Sequence, residues 1–191
     1  ETIKDIELGV PVKINIENSI AAMAIAWLNG VSATDIKNAI ASFQGAKRRF
    51  DFWIKRDDLV MIDDYAHHPD EIKASISSVK ELYPEKKISV IFQPHLYTRT
   101  RDFAPQFAKA LSLADELILL DIYPAREQPI PGVTSGLIAE RLTVPFVWVT
   151  KEEFPEYVKE NVKEGIFMTV GAGDIDRFIP IFTEMFGGTD C

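Results

Sequence analysis

Three segments of the chain gather most of the side chains that can hold anions or move protons. Asp63-Asp64-Tyr65-Ala66-His67-His68-Pro69 brings together two carboxylates and two imidazoles. Gln93-Pro94-His95-Leu96-Tyr97-Thr98-Arg99-Thr100-Arg101 carries the third histidine of the chain and two guanidiniums. Lys47-Arg48-Arg49 is a compact basic cluster. A carboxylate at a strand end can accept hydrogen bonds from a ribose, and imidazoles beside a helix start can orient an anion. The competing reading is that Asp64 or His68 caps a helix beginning near Pro69. The planar fork of arginine suits carboxylates and phosphates. The same arginines could equally pair with Asp102 on a solvated loop, an interaction worth about 0–1 kcal/mol. Lys47-Arg48-Arg49 reads either as a solvated linker or as a hinge from which an arginine reaches a phosphate. Adjacent His67 and His68 point differently and lack a third ligand at standard spacing, so they do not form a zinc motif.

These residues need elements to position them. An apolar run over Ile16–Leu28 followed by Asn29-Gly30 predicts a helix after a short initial strand. Ser32, three residues before Asp35, predicts the start of a second helix running to about Phe43. Strands are expected at Phe50–Ile54, Leu59–Asp63, Ile88–Phe92, Glu116–Leu120, Phe146–Val149 and Ile166–Val170. Helices are expected at Pro69–Leu82, Phe103–Leu113, Ser135–Arg141, Glu152–Val162 and Ile175–Met185. Short β-branched strands alternating with helices indicate a doubly wound, mostly parallel α/β sheet. Ligands of such sheets sit beyond the carboxyl ends of the strands. That edge collects the three histidines, the segment Asp121-Ile122-Tyr123-Pro124-Ala125-Arg126-Glu127 and the turn Gly171-Ala172-Gly173-Asp174. The glycine turn would allow close backbone approach to a ligand or partner. Neither a dinucleotide glycine fingerprint nor a Gly-x-x-x-x-Gly-Lys-Ser/Thr phosphate loop occurs in the chain.

Composition narrows the function classes. The 191 residues are 47% hydrophobic and 26% charged, enough for a substantial core. A formal charge of −8, from 21 basic and 29 acidic residues, argues against a general nucleic-acid binder but leaves room for small anions held by clustered arginines. No long uninterrupted apolar run suggests a membrane span, and the first residues do not read as a signal peptide. The one cysteine, Cys191, excludes an internal disulfide and a cysteine-based metal site. A cytoplasmic protein is expected.

Taken in order, Gly45-Ala46-Lys47-Arg48-Arg49-Phe50, the Asp63–Pro69 and Gln93–Asp102 segments, Asp121-x-Tyr123-x-Ala125-x-Glu127-x-Pro129-Ile130-Pro131-Gly132 and Gly171-Ala172-Gly173 resemble the Mur ligases of peptidoglycan synthesis. The likeness covers nearly the whole chain. It implies that residues 1–46 are the tail of a central ATP-binding domain, a helical remnant whose phosphate loop lies elsewhere. Residues 47–191 would be the Rossmann-like third domain. It further implies an ATP-driven ligase of the branch that adds L-alanine to UDP-N-acetylmuramate through an acyl phosphate. Asn15 and Asn18 would then face adenine, with Ile14 where the family often has histidine. Arg49 would reach the ATP phosphates, and Asp64, with His67 and His68, would lie at the nucleotide. His95 and Arg99 would be catalytic groups that hold alanine, with Arg101 beside them. Where the family often has arginine after that histidine, this chain has Leu96. ATP and Mg2+ are implied for the intact enzyme, with the metal ligands outside this chain, and the chain alone is expected to be inactive. The alternatives are a ligase that recycles a tripeptide onto the same sugar nucleotide and a non-catalytic nucleotide-binding or interaction domain.

Overall fold

The computed structural model describes residues 2–187, apart from the side chain of residue 14; Cys191 lies outside the described residues. The chain divides into two compact units, residues 1–46 and 47–191. In the first, helix α1 (Lys13–Leu28) stops at Asn29-Gly30, and α2 (Ala33–Ser42) starts at Ser32, whose hydroxyl accepts from the Asp35 amide at 3.1 Å. The expected initial strand does not form. The extended segment instead docks on the end of α2, with the Gly9 amide donating to the Ile40 carbonyl, and buries Val10 and Val12. Helix α1 shows no apolar stripe, and Ile16, Ile20, Ile25, Trp27 and Leu28 are all exposed. An all-round apolar helix belongs in a larger core than this unit provides.

The second unit is built on one six-stranded sheet. Its strands are β1 (Asp51–Lys55), β2 (Leu59–Asp64), β3 (Ile88–Phe92), β4 (Glu116–Leu119), β5 (Phe146–Trp148) and β6 (Gly165–Val170), in the order β1-β2-β6-β3-β4-β5. Only β1 runs antiparallel to its neighbour; the other pairings are parallel. Strand β6 is buried along its whole length, as expected for a central parallel strand. Helices α3 (Pro69–Leu82), α4 (Tyr97–Leu111) and α5 (Gly136–Ala139) pack in succession with one another, while α6 (Phe154–Asn161) packs against α7 (Ile179–Met185). Ile72, Ile76 and Val79 recur at helical spacing on α3 and are fully buried, each stabilising the fold by roughly 1.5–3 kcal/mol. The α6–α7 layer seals the sheet through Phe154 and Phe182, whose rings meet edge to face at 5.0 Å, and Phe182 meets the Phe167 ring of β6 edge to face at 5.3 Å.

Two boundaries depart from the sequence reading in ways that matter for the site. Helix α4 begins at Tyr97, not Phe103, so Arg99 and Arg101 lie on helix rather than loop. Pro105 would suit the first turn of a helix starting at Phe103. Here it sits well inside the helix, where it forgoes one backbone bond. The last helix is divided into a 3-10 turn over Ile175–Phe178 and α7, with Pro180 in the first turn of α7.

Candidate functional site

Strands β2, β6, β3 and β4 are in register at their carboxyl ends, which places Asp64, Val170, Phe92 and Leu119 side by side. Beyond β3 the chain keeps pairing: His95 bridges to Tyr123, the Leu96 amide donates to the Tyr123 carbonyl at 3.0 Å, and the Tyr123 amide donates to the Pro94 carbonyl at 2.8 Å. This extension fixes the backbone of His95. Its ring stacks on Tyr123, with centroids 5.8 Å apart and planes 19° from parallel.

Arg99 Nη1 donates to His95 Nδ1 at 3.3 Å. A guanidinium has no acceptor, so Nδ1 holds a lone pair and a neutral His95 carries its proton on Nε2. Burial first, then the charge of Arg99, push the His95 pKa below that of a free imidazole, with Glu127 opposing. His95 therefore presents an N–H donor beside a permanent cation, a pair suited to a carboxylate. Glu127 anchors the helix that carries Arg99: its carboxylate accepts from the Thr98 amide at 3.0 Å and from the Thr98 hydroxyl. Those bonds hold the Glu127 carboxyl below its usual pKa. Leu96, between His95 and Arg99, takes φ 72° and ψ 134°, a backbone that L side chains rarely adopt. Arg101 is carried away from Arg99, since residues two apart lie on nearly opposite sides of a helix. It is exposed and bonded to Asp102 at 2.7 Å, as in the solvated-pair reading.

The Asp63–Pro69 segment separates its residues. Asp64, at the end of β2, accepts from the Ala66 amide at 3.0 Å and from the Ser75 hydroxyl of α3. Burial raises its pKa against those bonds. His68 occupies the cap position of α3 and packs its ring on Phe103, with centroids 5.2 Å apart, so the capping reading accounts for it. Glu71 completes the cap by accepting from the amides of His67 and His68 at 3.0 and 3.1 Å. His67 turns the other way, and its ring lies 6.2 Å from that of His95. His67 and His95 thus meet, while His68 stays with the α3–α4 packing. Asn15 and Asn18 lie on one side of α1 in the first unit. Asn15 donates to the Val10 carbonyl at 3.3 Å, and Asn18 is exposed.

The basic cluster also divides. Arg48 folds inward with φ 60°, bonding Asp63 at 3.2 Å, the Gly171 carbonyl at 2.7 Å and the Gly173 carbonyl at 3.4 Å, with its guanidinium 4.9 Å from the centre of the Tyr65 ring. Arg49 is exposed, and its side chain makes no hydrogen bond or ion pair among the described residues. Nothing in the residue types distinguishes the two; the left-handed turn at Arg48 does. The glycine turn makes a close approach to the chain itself. A Cβ on Gly173 would stand 2.1 Å from Gln93 Oε1, and one on Gly171 (φ 144°) 2.7 Å from the Gln93 carbonyl. Gln93 is fully buried, donating to Asp174 at 3.0 Å and accepting from the Ile175 amide at 3.1 Å. Burial opposes ionisation of Asp174, but Lys151 and Gln93 hold its carboxyl below the usual range. Lys151 also lies 5.2 Å from the centre of the Tyr123 ring. Reading residue types assigned no role to Glu127, Gln93 or Lys151. Glu127 at least lay within a quoted motif, whereas Lys151 carried no signal. Among the described residues no histidine, cysteine, aspartate and glutamate side chains group as a metal-ligand set, and no helix is long and apolar enough to cross a membrane.

Comparison with known proteins gives a consistent result. A family described as Mur ligase, glutamate ligase domain, matches residues 48–173. A UDP-N-acetylmuramate–L-alanine ligase of Parabacteroides distasonis is 60% identical over 183 residues, covering 96% of this chain and 40% of that protein. Its counterpart in Porphyromonas gingivalis is 52% identical over 178 residues, covering 93% and 39%. The crystal structure of a UDP-N-acetylmuramate–alanine ligase from Thermotoga maritima matches with a TM-score of 0.77 at 30% identity, over 95% of this chain and 40% of that one. A murein peptide ligase from Psychrobacter arcticus matches with a TM-score of 0.64 at 18% identity, over 97% and 39%, a likeness of fold alone. The chain spans about 40% of the length of the curated relatives it matches.

Proposed function

Because this chain belongs to the Mur ligase family, by the match over residues 48–173, we propose that it is the carboxyl-terminal part of a cytoplasmic, ATP-driven ligase that joins L-alanine to UDP-N-acetylmuramate. The observation that carries the reading is the His95–Arg99 pair: a neutral imidazole donor and a guanidinium, bonded to each other at the carboxyl edge of a parallel sheet. That pair matches the carboxylate of an amino acid in charge and in donor geometry. In the proposed reaction the muramoyl carboxylate takes the γ-phosphoryl group of ATP, and the amine of alanine attacks the resulting acyl phosphate with loss of phosphate. Catalysis of such steps is mainly positioning and neutralisation of charge.

Residues 47–191 supply the alanine pocket through His95 and Arg99. Asp64 serves the ribose of ATP; its oxygens keep lone pairs beyond those used by Ala66 and Ser75. His68 acts on the nucleotide through α3, which it caps and which carries Ser75. Arg49, unpaired and exposed, is the cation free to meet the ATP phosphates. Residues 1–46 form the tail of the central domain and bring Asn15 and Asn18 to the adenine. The exposed apolar sides of α1 support that assignment, since the rest of a central domain would cover them. Magnesium and the phosphate-loop groups belong to the part of the relatives that this chain does not span.

Phosphate release by the full-length ligase with ATP, magnesium and UDP-N-acetylmuramate tests the proposal. L-Alanine is expected to be preferred over glycine, L-serine and the tripeptide, and Arg99→Ala to abolish the preference. Turnover with the tripeptide alone would move the chain to the recycling branch.

A further inference from the structure

The two histidines that meet at the sheet edge are held in opposite tautomers. His67 Nδ1 lies 2.9 Å from the Tyr65 carbonyl oxygen, which can only accept, so Nδ1 bears the proton and neutral His67 has its lone pair on Nε2. At His95 the arrangement is reversed, because Arg99 fills Nδ1 as a donor and the proton sits on Nε2. One ring therefore offers a donor and the other an acceptor, with centroids 6.2 Å apart. A zwitterionic amino acid needs both: a donor for its carboxylate and a base for its ammonium, which is not nucleophilic until it loses a proton.

We propose that His67 is the base that deprotonates the incoming amine, and that His95 acts only as a donor to its carboxylate. The proposal rests on the ligase reading above. His67 Nε2 takes one proton from the ammonium and becomes imidazolium. The free amine attacks the carbonyl carbon of the acyl phosphate, the C–N bond forms, and the C–O bond to the phosphate breaks. The departing phosphate carries off the second amine proton, the third remains on the new amide, and the imidazolium returns its proton to water.

The surroundings of His67 suit this role. Glu71 Oε2 lies 3.6 Å from Nδ1, on the side away from the lone pair, and stabilises the imidazolium as it forms. The Tyr65 ring packs on the imidazole with centroids 5.2 Å apart. From the other elements, His95 faces it directly, with Arg99 and Glu127 standing behind His95. Burial, together with the charge of Arg99, keeps His95 from competing for the proton. A general base in this position contributes about 100-fold or more to the rate of the step it serves.

The test uses the full-length ligase with two acceptors, L-alanine and hydroxylamine. Hydroxylamine is unprotonated at neutral pH and traps the acyl phosphate as a hydroxamate without needing a base. His67→Asn retains an N–H that can reach the Tyr65 carbonyl but has no basic nitrogen. The expected result is a fall of about 100-fold in the ratio of alanine adduct to hydroxamate. The acid limb of the kcat profile with alanine should disappear in this variant and persist in His95→Asn. Imidazole added to His67→Ala should restore alanine addition selectively. An equal fall with both acceptors, or a rise in the KM for ATP with kcat intact, would overturn the proposal in favour of a nucleotide-binding role; an unchanged ratio would overturn it as well. A wild-type enzyme that makes neither adduct with ATP would remove the ligase reading itself, a result the variants cannot mimic.

Discussion

Replacing Arg48 with methionine keeps a long apolar stem and deletes the guanidinium that joins five groups. Asp63 loses its cation while its side chain remains 1% exposed, keeping only the Thr169 hydroxyl at 2.6 Å among the bonds to its carboxylate. Two glycine carbonyls lose their donors, and Asp176 loses a partner at 3.5 Å. Removing one member of a buried pair costs about 3–5 kcal/mol. Arg48 itself is 16% exposed, so water can reach part of the vacated space, and the expectation falls to about 2–4 kcal/mol. For a domain of roughly 150 residues that corresponds to a drop in Tm of about 5–15 °C. Burial raises the Asp63 pKa, and Thr169 and Arg48 counter the rise. Without Arg48 the folded pKa climbs further, so the folded state takes up a proton before the unfolded state does. The penalty of Arg48→Met should therefore be full at pH 8 and shrink as pH falls through that raised value. Urea unfolding of the chain at pH 8 and pH 5 measures both, and Asp63→Asn in the Arg48→Met background should recover part of the loss. A destabilisation below about 1 kcal/mol, or one independent of pH, would refute the reasoning.

Two further outcomes follow from the same edge. Glu127→Gln removes the charge that anchors the start of α4 through Thr98; kcat/KM for alanine should fall roughly 10- to 100-fold, with the KM for ATP unchanged. Because the Glu127 pKa is lowered, its contribution to stability is present above the unfolded value and lost as pH falls through the folded one, which an acid titration followed by circular dichroism would detect only in the wild type. Gly173→Ala drives a methyl group against Gln93 and to 2.9 Å from Tyr123 Cβ; thermal melts should show a loss of about 1–3 kcal/mol, accompanied by weaker alanine binding as Tyr123 shifts under His95.

Much of the second unit could be read directly from periodicity. The strand Ile88–Phe92 and the helix Pro69–Leu82 have the expected limits because local signals agree there: an apolar β-branched run in one, and proline with an acidic first turn in the other. Convergence of the histidine segments followed from the rule that parallel strands present their carboxyl ends together. What the residue types could not supply was direction. His67 and His68 are chemically alike, yet one meets His95 and the other packs on Phe103, according to which side of the α3 cap each falls. Arg99 and Arg101 are alike in type, and only the start of the helix at Tyr97 turns them to different sides. The glycines at 171 and 173 signalled close approach, but only the fold reveals that the approaching group is Gln93.

The division between Arg48 and Arg49 shows how one backbone choice places adjacent identical residues in two different environments. Left-handed φ values at Arg48 (60°) and Phe50 (52°) flank Arg49. The turn buries the Phe50 ring and commits the Arg48 guanidinium to the sheet edge, leaving Arg49 exposed between them. L residues resist this backbone, so the contacts of Arg48 and the burial of Phe50 must offset the strain. A phosphate-seeking arginine on a loose linker would lose much of its advantage to conformational entropy. With its neighbours fixed to the same edge that carries Asp64, Arg49 would have only its own side chain left to order in the nucleotide contact proposed above. On that proposal, the fixed arginine makes the free one effective.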